Sequence, residues 1–290
     1  MKHTSKITIL LLSLFLLTQL LGLYIINVYQ ENKLPYGMQP PEVRPEVSFW
    51  SIIISIFLAI SFVFLLMKIK AIWVIRIWFF SVIALAIAIT SNAFFQKFLV
   101  HTTIISLALG ITLSYLKIFR RNIIVNNLTE ILIYPGIAAI FVPLLSIFSA
   151  FLLLILISIY DIYAVWYAKF MQEMAKFQIK EMKFFAGFFV PYIRGKQIRS
   201  IKFRKGKARK IKVSLAILGG GDVIFPILAA GVVFRAWGLL SALAVTLLSS
   251  LGLLALFIFA RKGKFYPAMP FITFGSFLGL LMGFLLKVWL

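Results

Sequence analysis

The sequence predicts an all-α, polytopic membrane protein of nine transmembrane helices with its N-terminus in the cytoplasm. Three observations predict it. Hydrophobic residues make up 62% of the 290 residues, a share beyond that of ordinary soluble domains. They gather in runs of about 20, the length at which a helix crosses a bilayer. The basic residues between the runs alternate in density, as the positive-inside rule requires.

The first span, near 7–28, follows the basic start MKHTSK. Its apolar part is too long for a signal-peptide core and no small-residue cleavage site follows, so a retained span is expected. Spans near 48–67 and 71–90 are divided by Lys68 and Lys70. The fourth, near 98–116, starts after Lys97 and stops at Lys117, Arg120 and Arg121. The fifth, near 128–145, follows Asn127, which with Glu130 forms a capping-box variant. It parts from the sixth, near 147–168, at Leu145–Ser146. The seventh, near 212–233, parts from the eighth, near 236–260, at Phe234–Arg235. The ninth, near 266–289, opens after the Arg261–Lys264 cluster.

With the N-terminus inside, 24 of the 30 Lys and Arg residues fall on inside segments and 5 outside. Arg76 lies in the third span near its inner end and can snorkel. A missed or extra span would scramble this alternation, so the C-terminus is expected outside. The chain then has three parts: 1–168 with spans one to six, a basic cytoplasmic linker over 169–211, and 212–290 with spans seven to nine.

The net charge of +22 would suggest nucleic acid on a soluble chain. Here it flanks apolar spans, so it reads as orientation and attraction to anionic lipid headgroups, centred on 169–212. No nucleic-acid motif is present. KFMQEMAKFQIKEMKFFAGFFVPYI (169–193) reads as an amphipathic helix on the inner leaflet, and RGKQIRSIKFRKGKARKIK continues it as a polybasic run. Cysteine is absent, which removes disulfide and thiol chemistry.

Two aspartates stand in this apolar background, Asp161 in LISIYDIYAVW and Asp222 in AILGGGDVIFP. An ionisable group at membrane depth is a functional hypothesis by default. At 1.5 Å per helical residue, Asp161 sits roughly 10 Å and Asp222 roughly 15 Å from the cytoplasmic side. Their spans are consecutive and antiparallel, so the carboxyls can face each other. Two carboxyls sharing a site do not both ionise easily, and the pair holds one proton. That suits amide hydrolysis: the ionised member is a base for water, and the protonated one supports the carbonyl and then the leaving nitrogen. Gly219, Gly220 and Gly221 weaken a helix and admit a close backbone. Pro226 leaves the Asp222 carbonyl without its helical donor. Pro267 and Pro270, in FYPAMPF, favour extended backbone at the mouth of the same site.

Tyr160-Asp161, Gly219-Gly220-Gly221-Asp222 and Pro267-Ala268-Met269-Pro270 resemble the YD, GxGD and PALP motifs of the presenilin and signal peptide peptidase family of intramembrane aspartyl proteases. They fall in order on spans six, seven and nine. The cytoplasmic N-terminus resembles presenilin orientation. The compact size and short loops resemble a prokaryotic, archaeal homologue, which places the chain in a cell membrane. The resemblance implies that Asp161 and Asp222 are the catalytic pair and that the proline motif shapes the site. It implies single-span membrane proteins or signal-peptide remnants as substrates, and no metal or organic cofactor. Met269 stands where the family usually has leucine, a swap of similar volume. The large presenilin loop with its autocleavage segment has no counterpart in the basic linker. A proton- or cation-coupled transporter or a leak channel also uses carboxylates and broken helices at this depth. Against that reading, the chain has no inverted repeat and no further polar cluster for a solute.

Overall fold

The computed structural model describes residues 5–38, parts of 50–69, 71–120, 122–167, 186–192, 214–260 and 266–289. Helix α1 spans Ser5–Glu31, α2 Ile72–Phe95, α3 Thr102–Phe119, α4 Ile123–Phe141 and α5 Ile147–Ile162. Helix α5 runs on as a π-helical turn over Tyr163–Tyr167. Strands β1 (Gly187–Tyr192) and β2 (Ser214–Gly219) follow, then α6 (Gly220–Trp237), α7 (Leu239–Phe259) and α8 (Met269–Trp289). Among the described residues, eight helical segments are long and apolar enough to cross a membrane. The expected span at 48–67 lies largely outside the described residues; those described between Trp50 and Lys68 are helical.

Local chemistry sets the breaks. Asn122 caps α4, its side chain accepting the Ile124 N–H at 2.9 Å. The helix therefore begins at Ile123, upstream of the expected start, and Asn127 and Glu130 are not its cap. Ser146 caps α5 through the Ser149 N–H at 3.1 Å, at the expected division. Helix α6 continues past Arg235 and ends at Gly238, whose φ of 86° is a conformation suited to glycine.

The expectation of an all-helical chain fails at one place. Residues 187–192 and 214–219 pair as an antiparallel two-stranded sheet, with Gly187 opposite Gly219 and Tyr192 opposite Ser214. Half of the supposed amphipathic helix's apolar end is thus strand; its start lies outside the described residues. The seventh span is strand to Gly219 and helix only from Gly220. GFFVPY and SLAILG are short apolar runs that a sheet accepts as readily as a helix does. Gly187 turns the chain into β1 with φ 149°.

Helix α6 sits at the centre. Val223, Ile227, Ala229, Ala230 and Val233 are buried, and α6 touches α1, α4, α5, α7, α8 and both strands. Around the outside, Trp73, Ile104, Phe148, Phe274 and Trp289 are exposed. Bare apolar surface on so many helices suits a hydrocarbon solvent, and bundled helices satisfy their own backbone there.

Candidate active site

Asp161 closes the last turn of α5 and is buried. Its Oδ2 accepts the Met269 N–H at 3.0 Å, and the Ala268 backbone also bonds to the carboxyl. These donors belong to the start of α8, where the first N–H groups of a helix lack internal partners. A carboxylate from another helix fills that need, as anions at helix N-termini do. One turn earlier, the Ser158 and Thr273 hydroxyls meet at 2.7 Å and fix α5 against α8.

Asp222 is the third residue of α6, not ten residues inside a span. Its carboxyl takes a backbone hydrogen bond from Gly219, the residue that caps α6. This is one arm of a capping box, a third-position carboxyl reaching back to the cap N–H. The other arm is absent because glycine has no side chain. Pro226 lies inside α6, so the Asp222 carbonyl has no helical donor. The neighbouring Val223 carbonyl accepts the amide of buried Gln19, from α1, at 2.9 Å.

The two carboxyls interact electrostatically. Asp161 and Asp222 thus come together, each at the N-terminal end of a helix, one donated by α8 and one its own. The proline motif joins them: Pro267, Ala268 and Met269 are buried and Pro270 half-buried. Of the glycines, Gly219 and Gly220 are half-buried and Gly221 is exposed. They do not loosen a helix from within; they are where strand becomes helix. Tyr160 adjoins Asp161 in the chain and is exposed. Among the described residues, no three His, Cys, Asp or Glu side chains gather as a metal site would need.

Several polar residues near the site escape sequence reasoning. Lys117 pairs with Glu130, and both side chains are almost fully buried. Asn126, Asn127 and Glu130 bond the backbone of β1. A signal existed: of eight acidic residues, only Glu130, Asp161 and Asp222 fall within expected spans. Gln19, deep in the first span, carried a similar signal.

The site is thus a pair of aspartates brought together at helix ends inside a bundle of membrane-length helices. The chain belongs to the family described as signal-peptide peptidase, presenilin aspartyl protease, whose model matches residues 12–288. It is therefore a multi-pass integral membrane protein of an intramembrane aspartyl protease family. Comparison with individually curated proteins gave no match. A presenilin family intramembrane aspartate protease solved in space group C222 is similar at 19% identity and TM-score 0.65, covering 96% of this chain and 99% of that one. The structure in space group P2 is similar at 20% identity and TM-score 0.62, covering 95% and 96%. At these identities the likeness is one of fold.

Proposed function

We propose that the chain hydrolyses peptide bonds inside transmembrane segments, with Asp161 and Asp222 as the acid and base of a GxGD-type site. The observation that carries this reading is that the two carboxyls lie close enough to interact electrostatically, one held by the Met269 N–H and the other at the head of α6.

The chemistry runs in two steps. The ionised carboxyl takes a proton from water as its oxygen adds to the scissile carbonyl carbon. The protonated carboxyl gives its proton to the carbonyl oxygen, leaving a gem-diol. The carboxyl that gained a proton then passes it to the amide nitrogen, the C–N bond breaks, and the other carboxyl, now ionised, takes the proton from one gem-diol hydroxyl as the new C=O forms. The products are a new carboxyl and a new amine, and the pair has its one proton again. The backbone donors at Met269, Ala268 and Gly219 hold the two carboxyls in place during this exchange. A substrate helix must open before its carbonyl can be reached, and the strand-to-helix junction leaves extended backbone beside the site.

In this reading the chain has nine spans, a cytoplasmic N-terminus and an outside C-terminus in a prokaryotic cell membrane. The 169–212 segment rests on anionic headgroups. Substrates are single-span proteins or signal-peptide remnants, and no cofactor takes part. A single turnover in ¹⁸O-water with a single-span peptide in liposomes tests the chemistry. One label in the new C-terminal carboxyl, a cut inside the apolar segment and unlabelled aspartates are expected. No cut, or label in Asp161 or Asp222 that marks an anhydride intermediate, contradicts it.

A further inference from the structure

A polar cluster at the inner end of α3 and the start of α4 has no part in the chemistry above. The Lys117 ammonium pairs with Glu130 and donates to Asn126 Oδ1 at 2.7 Å. Glu130 Oε1 accepts the Gly187 N–H at 3.0 Å, and Asn126 Nδ2 donates to the Gly187 carbonyl at 2.8 Å. Asn127 does the same for Phe189 in both directions, at 2.8 and 2.9 Å. All four bonds land on the backbone of β1.

Their placement follows from strand geometry. Within an antiparallel pair, the N–H and C=O of one residue point to the same side, and successive residues alternate. If Gly187 and Phe189 bond α4, they face away from β2, and residues 188, 190 and 192 carry the ladder. Pro191 falls on the outward set, where its missing N–H removes no ladder bond. The ladder extends one step further, from the Gly220 N–H to the Ala186 carbonyl at 3.2 Å. Gly220 is two residues from Asp222. Tyr134, one turn beyond Glu130 on α4, packs edge-on against Phe188 with ring centroids 6.0 Å apart. Its hydroxyl would lie 2.7 Å from a Cβ added at Gly220.

A buried ion pair is weak evidence for stability, because desolvation offsets its attraction; its best-attested use is to fix register. We propose that Lys117, Asn126, Asn127 and Glu130 are positioning residues that lock the register of β1, and through the sheet the height of the Gly219–Asp222 junction, and thereby select which substrate bond meets the carboxyls. This rests on the proteolytic reading of Asp161 and Asp222. None of the four touches the reacting atoms.

The chain's lack of cysteine allows a single spin label at Ile217→Cys, on β2, where the side chain is 41% exposed. Label mobility, melting midpoint and the masses of fragments from a single-span peptide are measured together. Asn126→Ala with Asn127→Ala is expected to mobilise the label and to move product from the parent's main cut to neighbouring bonds. Lys117→Met with Glu130→Gln removes both charges and the Lys117 donor to Asn126 but keeps an acceptor for Gly187, and is expected to move the cuts in the same direction but less than the double alanine variant does. If the double alanine variant does not fold, Asn127→Ala alone, which leaves Gly187 held, is read the same way. A folded alanine variant with the parent's label mobility and cut positions overturns the proposal, as does a drop in rate with unmoved cuts. A parent that cuts nothing defeats the catalytic reading instead, and the label alone then decides the positioning role.

Discussion

The seam between α7 and α8 and the junction at Asp222 both depend on glycine, and for different reasons. Along the seam, a Cβ at Gly252, Gly275 or Gly279 would strike the backbone of the facing helix, at Phe271, Leu248 and Val245 respectively, and one at Gly283 would crowd Ser241 at 3.0 Å. Backbone cannot rotate aside. In a bilayer, where apolar helices gain little by leaving lipid, such close approach is a main source of helix association. At the junction the neighbours are side chains: the Asp222 carboxyl 3.2 Å from a Cβ at Gly219, the Tyr134 hydroxyl at Gly220, and the Phe225 ring 3.6 Å from one at Gly221. The seam's glycines bring helices together. The junction's glycines keep space clear around the Asp222 carboxyl and the side chains beside it. Substitution in the first region should show in stability, and in the second in activity.

The sharpest separation is expected at the proline motif, which ties the two regions because α8 supplies both a seam face and the Asp161 donors. Met269→Pro removes the N–H that Asp161 accepts yet places proline at a first helical position, where it is tolerated. A misplaced carboxyl then costs about 100-fold in turnover, read by peptide cleavage. Met269→Leu preserves volume and the N–H, and should change stability by less than about 1.5 kcal/mol with turnover intact.

Next comes Gly221→Ala. The site is exposed and an added methyl meets only ordinary contact with Phe225, so the melting midpoint should hold. On the proposed function the methyl stands on the open side of the Asp222 turn, where a substrate approaches, and a fall of about tenfold in kcat/KM is expected, a fraction of the cost of a 1 Å misplacement. A fall in melting point with unchanged kcat/KM would erase the distinction between the two regions.

Gly279→Ala tests the other side. Overpacking the α7–α8 seam should cost about 1–3 kcal/mol, seen in detergent melts, while the protein that remains folded cuts normally. The smallest effect is expected for Ser158→Ala, which removes the 2.7 Å bond to Thr273. Interhelical bonds of this kind in membranes are worth about 0.6 kcal/mol on average. A larger loss there would mean that α5 and α8 are aligned mainly by that bond.

Much of this was legible in the sequence, for physical reasons. A bilayer imposes one length and one polarity on every span, so hydropathy alone located α1 and α2 through α5 to within several residues. The paired carboxyls stood out because charge is rare at membrane depth. The β1–β2 sheet was not legible. LAILGG reads as the start of a span because an apolar run carries no period that separates strand from buried helix. What decides it is a partner some thirty residues upstream, inside a segment whose lysines dominate any reading. Glu130 failed similarly. Its spacing from Asn127 fits a helix cap, but Asn122 takes that role and Glu130 meets Lys117 and Gly187, partners that only the fold reveals.

The central claim is that both aspartates are needed for the same bond-breaking step. Asp161→Asn and Asp222→Asn keep side-chain shape and an oxygen to accept the Met269 and Gly219 donors, but neither can exchange the proton. Each is compared with the parent on a single-span peptide in liposomes, with melting midpoints measured alongside. The account predicts that either substitution alone lowers cleavage by about 10²–10⁴-fold with the midpoint held. Cleavage at the parental rate by either folded variant would contradict it.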